Sequence, residues 1–444
     1  MSTLTESPVL DPAYVHLQQR LDRMPIGAPA HRSLFLMLQE LYTTEEAALA
    51  ATMPFRPSSL EKIARRANVS ARRTAEILDT LVHKGLVADL PRPDGRMAYF
   101  LNPTVVGFFE FTMMRVRHDV DQARVARLLW DYVRQDPELA FLRMAAGGPT
   151  FIARPLVHED AVEPETYSEI VDWERATAVV EAAGSWAEGL CHCRHVKQHL
   201  GKRCAYPLEH CLSLGMGADY LVRAGIARRI DKARALDVLV HAREHDCVQM
   251  VDNVQRRPTF LCNCCSCCCE ILEGFRVLRE SHGTVTSGFV AESSEAECNG
   301  CGKCAKVCPI SAIALLPDVQ PPAPGRPRRK VRAQVNAELC LGCGVCRRPC
   351  KTGALRLRRR ETRVYTPETQ LERILRQALE RGRLQHLLFD DPSRLSHRVL
   401  ATVFGVLLDL PPAKQLLARE QIKSRFVHLL LDATKRSAPR PARP

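Results

Sequence analysis

Cys298, Cys301, Cys304 and Cys308, followed by Pro309, repeat their spacing at Cys340, Cys343, Cys346 and Cys350. This doubled C-x2-C-x2-C-x3-C run constrains the chain more than any other feature, because thiols so closely spaced must fold the backbone into a corner around whatever they bind. Two such runs suit a pair of [4Fe–4S] cubanes, each run giving three thiolates to one cluster and its fourth to the other. That pattern assigns Cys298, Cys301, Cys304 and Cys350 to one cluster and Cys340, Cys343, Cys346 and Cys308 to the second. Two zinc knuckles are the competing arrangement, but structural zinc usually takes one close cysteine pair and a distant second pair.

On these residues the segment 288–360 resembles bacterial-type two-cluster ferredoxin domains. Two departures stand out: Pro349 precedes Cys350 where that family has proline after the cysteine, and the inter-motif segment Asp318–Ala333 is longer than the compact form needs. Neither touches a ligand.

A second cysteine-rich region lies upstream. Cys191, Cys193, Cys204 and Cys211 form C-x-C-x10-C-x6-C, and Cys262, Cys264, Cys265, Cys267, Cys268 and Cys269 put six thiols into eight residues. Adjacent thiolates repel unless a cation neutralises them, and burying thiols unpaired costs stability; metal or cluster ligation removes both costs. The expectation is a third iron–sulfur cluster on Cys191, Cys193, Cys204 and Cys211, favoured over zinc, with ligation inside Cys262–Cys269 left open. Of nineteen cysteines, eight belong to the doubled run, four to the C-x-C set and seven remain, Cys247 among them. Arg194, Lys197, Lys202 and Arg203 would offset the negative charge of a cluster. His195 and His199 sit at i, i+4, a spacing that can bind metal. With four thiols to hand, hydrogen bonding beside the metal or a plain surface pair is the simpler expectation.

At 444 residues and 46% hydrophobic content the chain has room for two to four globular domains. No apolar run reaches the roughly 18 residues of a transmembrane helix, and the N-terminus, with Glu6 and Asp11, lacks the apolar segment of a signal peptide. The expectation is a cytoplasmic protein without a membrane span, its thiols ligating metal in a reducing compartment rather than forming disulfides. The formal net charge is +13, lowered by about −2 for each oxidised cubane. Residues 321–444 hold 27 Lys and Arg against 10 Asp and Glu, a net of +17 that leaves −4 for residues 1–320. The basic surface, including Arg326, Arg328, Arg329, Lys330, Arg356, Arg358, Arg359 and Arg360, can steer an acidic protein partner or hold nucleic acid, or be an ordinary solvated face.

The patterning predicts an α+β, multidomain chain. Residues 1–55 read as helical, with His31–Glu40 apolar on one side and a helix start at Thr44. Over 56–111, Glu61–Ala67 and a helix capped by Ser70, with Ala75, Ile77, Leu78, Leu81 and Val82 in one stripe ending at Gly85, precede strands Leu86–Leu90 and Met97–Leu101 around Pro93, Asp94 and Gly95. Helix, turn, helix and hairpin predict a winged helix, with Arg72 and Arg73 where DNA-reading side chains sit. Residues 112–187 read as a connector: a helix from Thr112 to Arg134, a strand in Phe151–Val157, and helix again from Tyr167 to Ala187. The cysteine-rich domain 188–285 is expected to be mainly helical, the ferredoxin-type domain to cover 286–360, and 361–435 to form a basic helical extension. The tail 436–444, rich in Pro and Arg, is expected to be disordered.

Taken whole, residues 20–360 resemble a group of bacterial and archaeal 4Fe–4S dicluster proteins with an N-terminal winged-helix-like region. The segments that carry this are MPIGAPA at Met24–Ala30, GFFEF at Gly107–Phe111, CHCR at Cys191–Arg194, the Cys204, Pro207, Cys211 stretch, and CNCCSCCC at Cys262–Cys269. The resemblance implies iron–sulfur electron transfer and supplies no substrate. An electron-transfer protein relaying electrons to a redox partner protein is therefore the leading expectation, and an electron carrier or oxidoreductase component fits better than a stand-alone enzyme. A redox-responsive winged-helix transcription regulator and a cluster-bearing oxidoreductase subunit are the alternatives, with DNA a possible but not favoured partner. No glycine-rich dinucleotide loop or nucleophile motif is evident.

Overall fold

The computed structural model describes residues 10–134, 140–146, 148–278, 285–318, 329–362, 364–391 and 394–436. The expected disordered tail beyond 436 and the inter-motif residues 319–328, Arg326 and Arg328 among them, lie outside these. The chain separates into two compact units: one of residues 1–112, 117–150 and 368–444, the other of 113–116 and 151–367.

The first unit is mostly helical. Helix Thr44–Thr52 starts with a reciprocal capping box in which the Thr43 hydroxyl accepts from the Glu46 amide and the Glu46 carboxylate accepts from the Thr43 amide at 2.9 Å. Helix Leu60–Ala67 ends at Asn68 in the left-handed region, and Ser70 caps helix Ala71–Lys84, which stops at Gly85 with φ +76°. That second helix buries Thr74, Ile77, Leu78, Leu81 and Val82, the apolar ones at about 1.5–3 kcal/mol each. Thr74, rather than the expected Ala75, completes the stripe. Strands β1 (Val87–Pro91) and β2 (Met97–Leu101) pair antiparallel from Val87 opposite Leu101 to Pro91 opposite Met97. MPIGAPA meets the segment before GFFEF: the Thr104 hydroxyl donates to the Gly27 carbonyl at 3.0 Å.

The C-terminal helices belong to this unit. Asp390 accepts at its carbonyl from Arg20 (3.2 Å) and Arg66 (2.6 Å) and at its carboxylate from the Phe55 amide (3.0 Å), tying three N-terminal segments to it. Arg376, nearly inaccessible, pairs with Glu372 at 3.0 Å and Glu420 at 2.6 Å beside a core of Leu375, Ala378, Leu384, Val427 and Leu431. Helices Leu395–Asp409 and Pro411–Ala418 bury no residue of their own. Among the described residues no single helix is long and apolar enough to cross a membrane; these two reach that composition only as a pair bent by 69°.

The helix expected over Thr112–Arg134 is broken into Phe109–Met113 and Gln122–Arg134. The expected 167–187 helix shrinks to Ala176–Glu181 and gives way to a strand.

The second unit corrects the mainly helical expectation for the cysteine-rich region. Strands β3 (Ala153–Pro155), β4 (Trp186–Gly189), β5 (Cys211–Leu214), β6 (Arg228–Ile230), β7 (Val248–Asp252) and β8 (Phe260–Cys264) form one sheet in the order β3-β7-β8-β5-β4-β6. Every pairing in it is antiparallel. These strands escape a sequence reading for physical reasons. They are three to five residues long, and β7 is buried at every position, which erases the alternation that marks a half-exposed strand. Helices Ala176–Glu181 and Lys232–Glu244 supply Val180, Val238 and Leu239 to a core shared with Leu212, Leu214, Val251 and Leu261 of the sheet.

Beyond the sheet, β9 (Phe289–Ser293), β10 (Ile313–Pro317), β11 (Val331–Val335) and β12 (Leu355–Arg359) frame the doubled cysteine run. Strand β9 leads into the first run and β10 leaves it; β11 and β12 do the same for the second. Everything recurs after 42 residues, since Cys298 to Cys340, Phe289 to Val331 and Ile313 to Leu355 are all separated by 42. The strands pair crosswise, β9 with β12 and β10 with β11, both antiparallel, giving a pseudo-twofold unit in which each run is framed by strands that flank the other.

Candidate metal centres

Crosswise pairing brings the last cysteine of each run to the first three of the other. One pocket is lined by Cys298, Cys301, Cys304 and Cys350. A second is lined by Cys308, Cys340, Cys343 and Cys346 with Pro309, Ile310 and Leu341. Backbone amides aim at the sulfurs: Ala312 at Cys308 (3.2 Å), Gly342 and Ala291 at Cys340 (3.4 and 3.5 Å), and Leu355 at Cys350 (3.4 Å). Such donors stabilise negative charge on sulfur and raise the reduction potential of a bound cluster. Burial pushes Cys304, Cys308 and Cys346 up and Cys343 to about 12, so as bare thiols these would stay protonated. Four convergent thiols in a mostly apolar pocket, with amides directed at sulfur, fit a thiolate-ligated cluster whose positive irons offset that cost.

Two glycines make the corners possible. Gly300 and Gly342 have φ of +72° and +68°, and a Cβ on Gly300 would collide with the Val331 carbonyl oxygen, one on Gly342 with that of Phe289. Each run thus turns against the strand that precedes the other.

Ten of the eleven cysteines upstream, all but Cys247, divide differently from the expected set. Cys191 and Cys193 follow β4, on either side of the first residue of helix His192–His199; Cys211 opens β5, and Cys262 and Cys264 lie on β8. Cys211 and Cys262 are direct cross-strand partners. Cys191, Cys193, Cys269, Cys264, Cys262 and Cys211 form a ring-like group of six in which each thiol interacts with the next. Sharing of the thiol protons pushes Cys193, Cys264 and Cys211 up and holds Cys191, Cys262 and Cys269 down. Cys204 is not in this ring of six. It lies instead with Cys265, Cys267 and Cys268, the four sulfurs all within 4.8 Å of one another. The CNCCSCCC run therefore divides between two groups: Cys262, Cys264 and Cys269 go to the ring, and Cys265, Cys267 and Cys268 to the tetrad.

Arg194 stands between them. Its side chain is buried, donates to the Asn263 carbonyl and stacks 4.3 Å over the Tyr206 ring. Burial works against its charge, which the sulfurs of Cys191 and Cys265, both held down, keep in place. Lys197 is paired with Glu273 at 3.2 Å. His195 is buried, with Nδ1 2.7 Å from the Met113 carbonyl and Nε2 3.2 Å from His199 Nε2. The two histidines thus bond to each other and to backbone.

Sequence reasoning missed His158 and Cys247. The His158 amide donates to the Cys343 carbonyl at 2.9 Å, and its ring Nε2 donates to the Cys247 carbonyl at 2.9 Å. A carbonyl only accepts, so Nε2 carries the proton. Cys247 is fully buried in a cluster with Tyr206, Ala242, Cys265 and Cys268, and burial pushes its thiol to about 12. No local spacing marks either residue, since both contacts join segments about 90 to 185 residues apart.

Residues 297–354 match the family model of the 4Fe-4S dicluster domain. This stretch is a ferredoxin-type, 4Fe–4S-binding domain. No curated protein and no solved structure matched the chain.

Proposed function

We propose that the chain is an iron–sulfur electron-transfer protein that passes electrons between its two-cluster domain and a third centre in the cysteine-rich region upstream. In this reading Cys298, Cys301, Cys304 and Cys350 hold one cubane, Cys340, Cys343, Cys346 and Cys308 the second, and Cys191, Cys193, Cys211, Cys262, Cys264 and Cys269 a further iron–sulfur centre. Each cluster, when bound, takes up and returns one electron. The protein's share is to hold the clusters dry, to set their potentials through the amides directed at sulfur, and to supply a bonded route between them. The observation that carries the reading is His158. Its main chain bonds to Cys343 of the ferredoxin-type run and its ring to Cys247, which shares a buried cluster with Cys265, the chain neighbour of Cys264 in the third centre.

The natural division of such a protein is a winged-helix-like module at 56–111, a cysteine-rich domain at 188–285, a ferredoxin-type domain at 286–360 and a helical extension at 361–435. The winged-helix-like module serves best as a docking element for a redox partner. Arg73, which a DNA-reading role would leave free, is engaged by Glu45 at 2.5 Å and Glu76 at 2.8 Å.

The test is freeze-quench EPR on the full chain, purified anaerobically and reduced through the ferredoxin-type domain. The expected result is a second set of reduced-cluster signals that grows in after the first, and a His158→Ala variant that slows this step without changing iron or labile sulfide. If the middle region never takes up an electron, the relay is wrong.

A further inference from the structure

The tetrad Cys204, Cys265, Cys267 and Cys268 differs from the other three cysteine centres in its dimensions. Its sulfurs all lie within 4.8 Å, with Cys204 to Cys265 and Cys267 to Cys268 both at 3.8 Å. A tetrahedral ion with metal–sulfur bonds of about 2.3 Å has sulfur–sulfur edges of about 3.8 Å. In a cubane each thiolate binds a different iron, so the cluster's corners hold the four thiolates farther apart than a single ion does. The tetrad is too tight for a cubane and has the edge length of a one-ion site.

The surroundings supply the matching charge. Four thiolates around a divalent ion carry a net charge of −2, and the buried Arg194 guanidinium lies close enough to Cys265 to interact with it electrostatically. Tyr206 packs beneath that guanidinium, and together with Ala242 and Cys247 it walls the tetrad off from the sheet core. Only Cys267 is exposed. The four ligands close the coordination sphere, which is the arrangement of a structural site rather than one that keeps a position open for substrate.

We propose that Cys204, Cys265, Cys267 and Cys268 bind a single tetrahedral thiophilic ion, zinc or iron, separate from the iron–sulfur centres. Its role is to pin the CNCCSCCC loop to the Cys204 segment, so that Cys264 and Cys269, the neighbours of its ligands in sequence, are held in place within the ring of six. The site does not rest on the electron-transfer reading, because it neither gains nor passes an electron in this role.

The test is metal and labile-sulfide quantification with native mass spectrometry on the full chain purified anaerobically. Cubanes contribute iron and sulfide in equal numbers, so the single ion shows itself either as one zinc per chain or as one iron in excess of sulfide. Where the ion is zinc, X-ray absorption at the zinc edge is expected to give four sulfur neighbours at about 2.3 Å and no short metal–metal distance. Cys204→Ser and Cys267→Ser are each expected to remove that one ion while iron and sulfide stay equal to each other; Cys343→Ser is expected to lower iron and sulfide together and leave the ion in place. The proposal is overturned if the wild-type protein contains no zinc and has equal iron and sulfide, if Cys204→Ser removes about four irons with four sulfides, or if the intact mass shows a Cys204–Cys265 disulfide in place of a metal. All three of these read-outs stand apart from whether electrons reach the middle region.

Discussion

Cys211 and Cys262 stand opposite one another as cross-strand partners on β5 and β8, 51 residues apart in the chain. That one register brings a cysteine of the C-x-C set against the first cysteine of the CNCCSCCC run, and it draws Cys191 and Cys193, at the end of the adjoining β4, into the same ring.

Crosswise ligation of the two-cluster domain predicts which variants resemble each other. Cys304→Ala and Cys350→Ala should abolish the same EPR signal, and Cys346→Ala and Cys308→Ala the other one. Each should cost about four irons outright and destabilise the neighbouring cluster, because β9 with β12 and β10 with β11 form one small core around both. The crossing fails if Cys350→Ala behaves like Cys346→Ala instead.

Gly342→Ala is expected to destabilise the ferredoxin-type domain by about 1–3 kcal/mol through its left-handed φ alone, and by more once the collision with the Phe289 carbonyl is included. Gly353, also at positive φ but with open space around its Cβ position, should tolerate alanine better. Cluster-loss rates on heating, followed by visible absorbance, compare the two.

His386, in the first unit, is lowered to about 4 by burial and by the nearby charges of Arg23, Arg383 and Arg20. Unfolded, it titrates near 6.5. Between these values the unfolded chain binds a proton that the folded one refuses, so stability is full above about 6.5 and is lost as pH falls towards 4. A His386→Gln variant should therefore lose less melting temperature than the wild type between pH 7 and pH 5, measured by circular dichroism. Parallel losses in the two proteins would remove His386 as the cause.

Binding of the chain to mixed-sequence duplex DNA should be weak and should fade with salt, with the basic C-terminal third contributing more than the helix Ala71–Lys84. Because Arg73 is already engaged by Glu45 and Glu76, an Arg72→Ala/Arg73→Ala variant should bind as the wild type does in fluorescence anisotropy. Tight, promoter-specific retention at physiological salt that disappears in this variant would instead favour a transcription regulator.

The ferredoxin-type stretch was legible from residue order because ligand spacing in a tight corner is a local property: the cysteines, Gly300 and Gly342 all lie within the turns they build. Helix Ala71–Lys84 was legible for the same reason, its cap at Ser70 and its stop at Gly85 being short-range signals. Tertiary structure alone decided the grouping of ten of the eleven upstream cysteines. Cys204 parts from Cys191, Cys193 and Cys211 because the antiparallel register of β5 on β8 and the turn after Cys264 determine which sulfurs meet, and neither is written in any spacing. The sheet itself stayed hidden because a strand buried on both faces, such as Val248–Asp252, has no polar alternation to show. His158 became visible only when the fold brought Cys343 and Cys247 to its two ends, since a hydrogen bond between distant segments leaves no periodic trace in either.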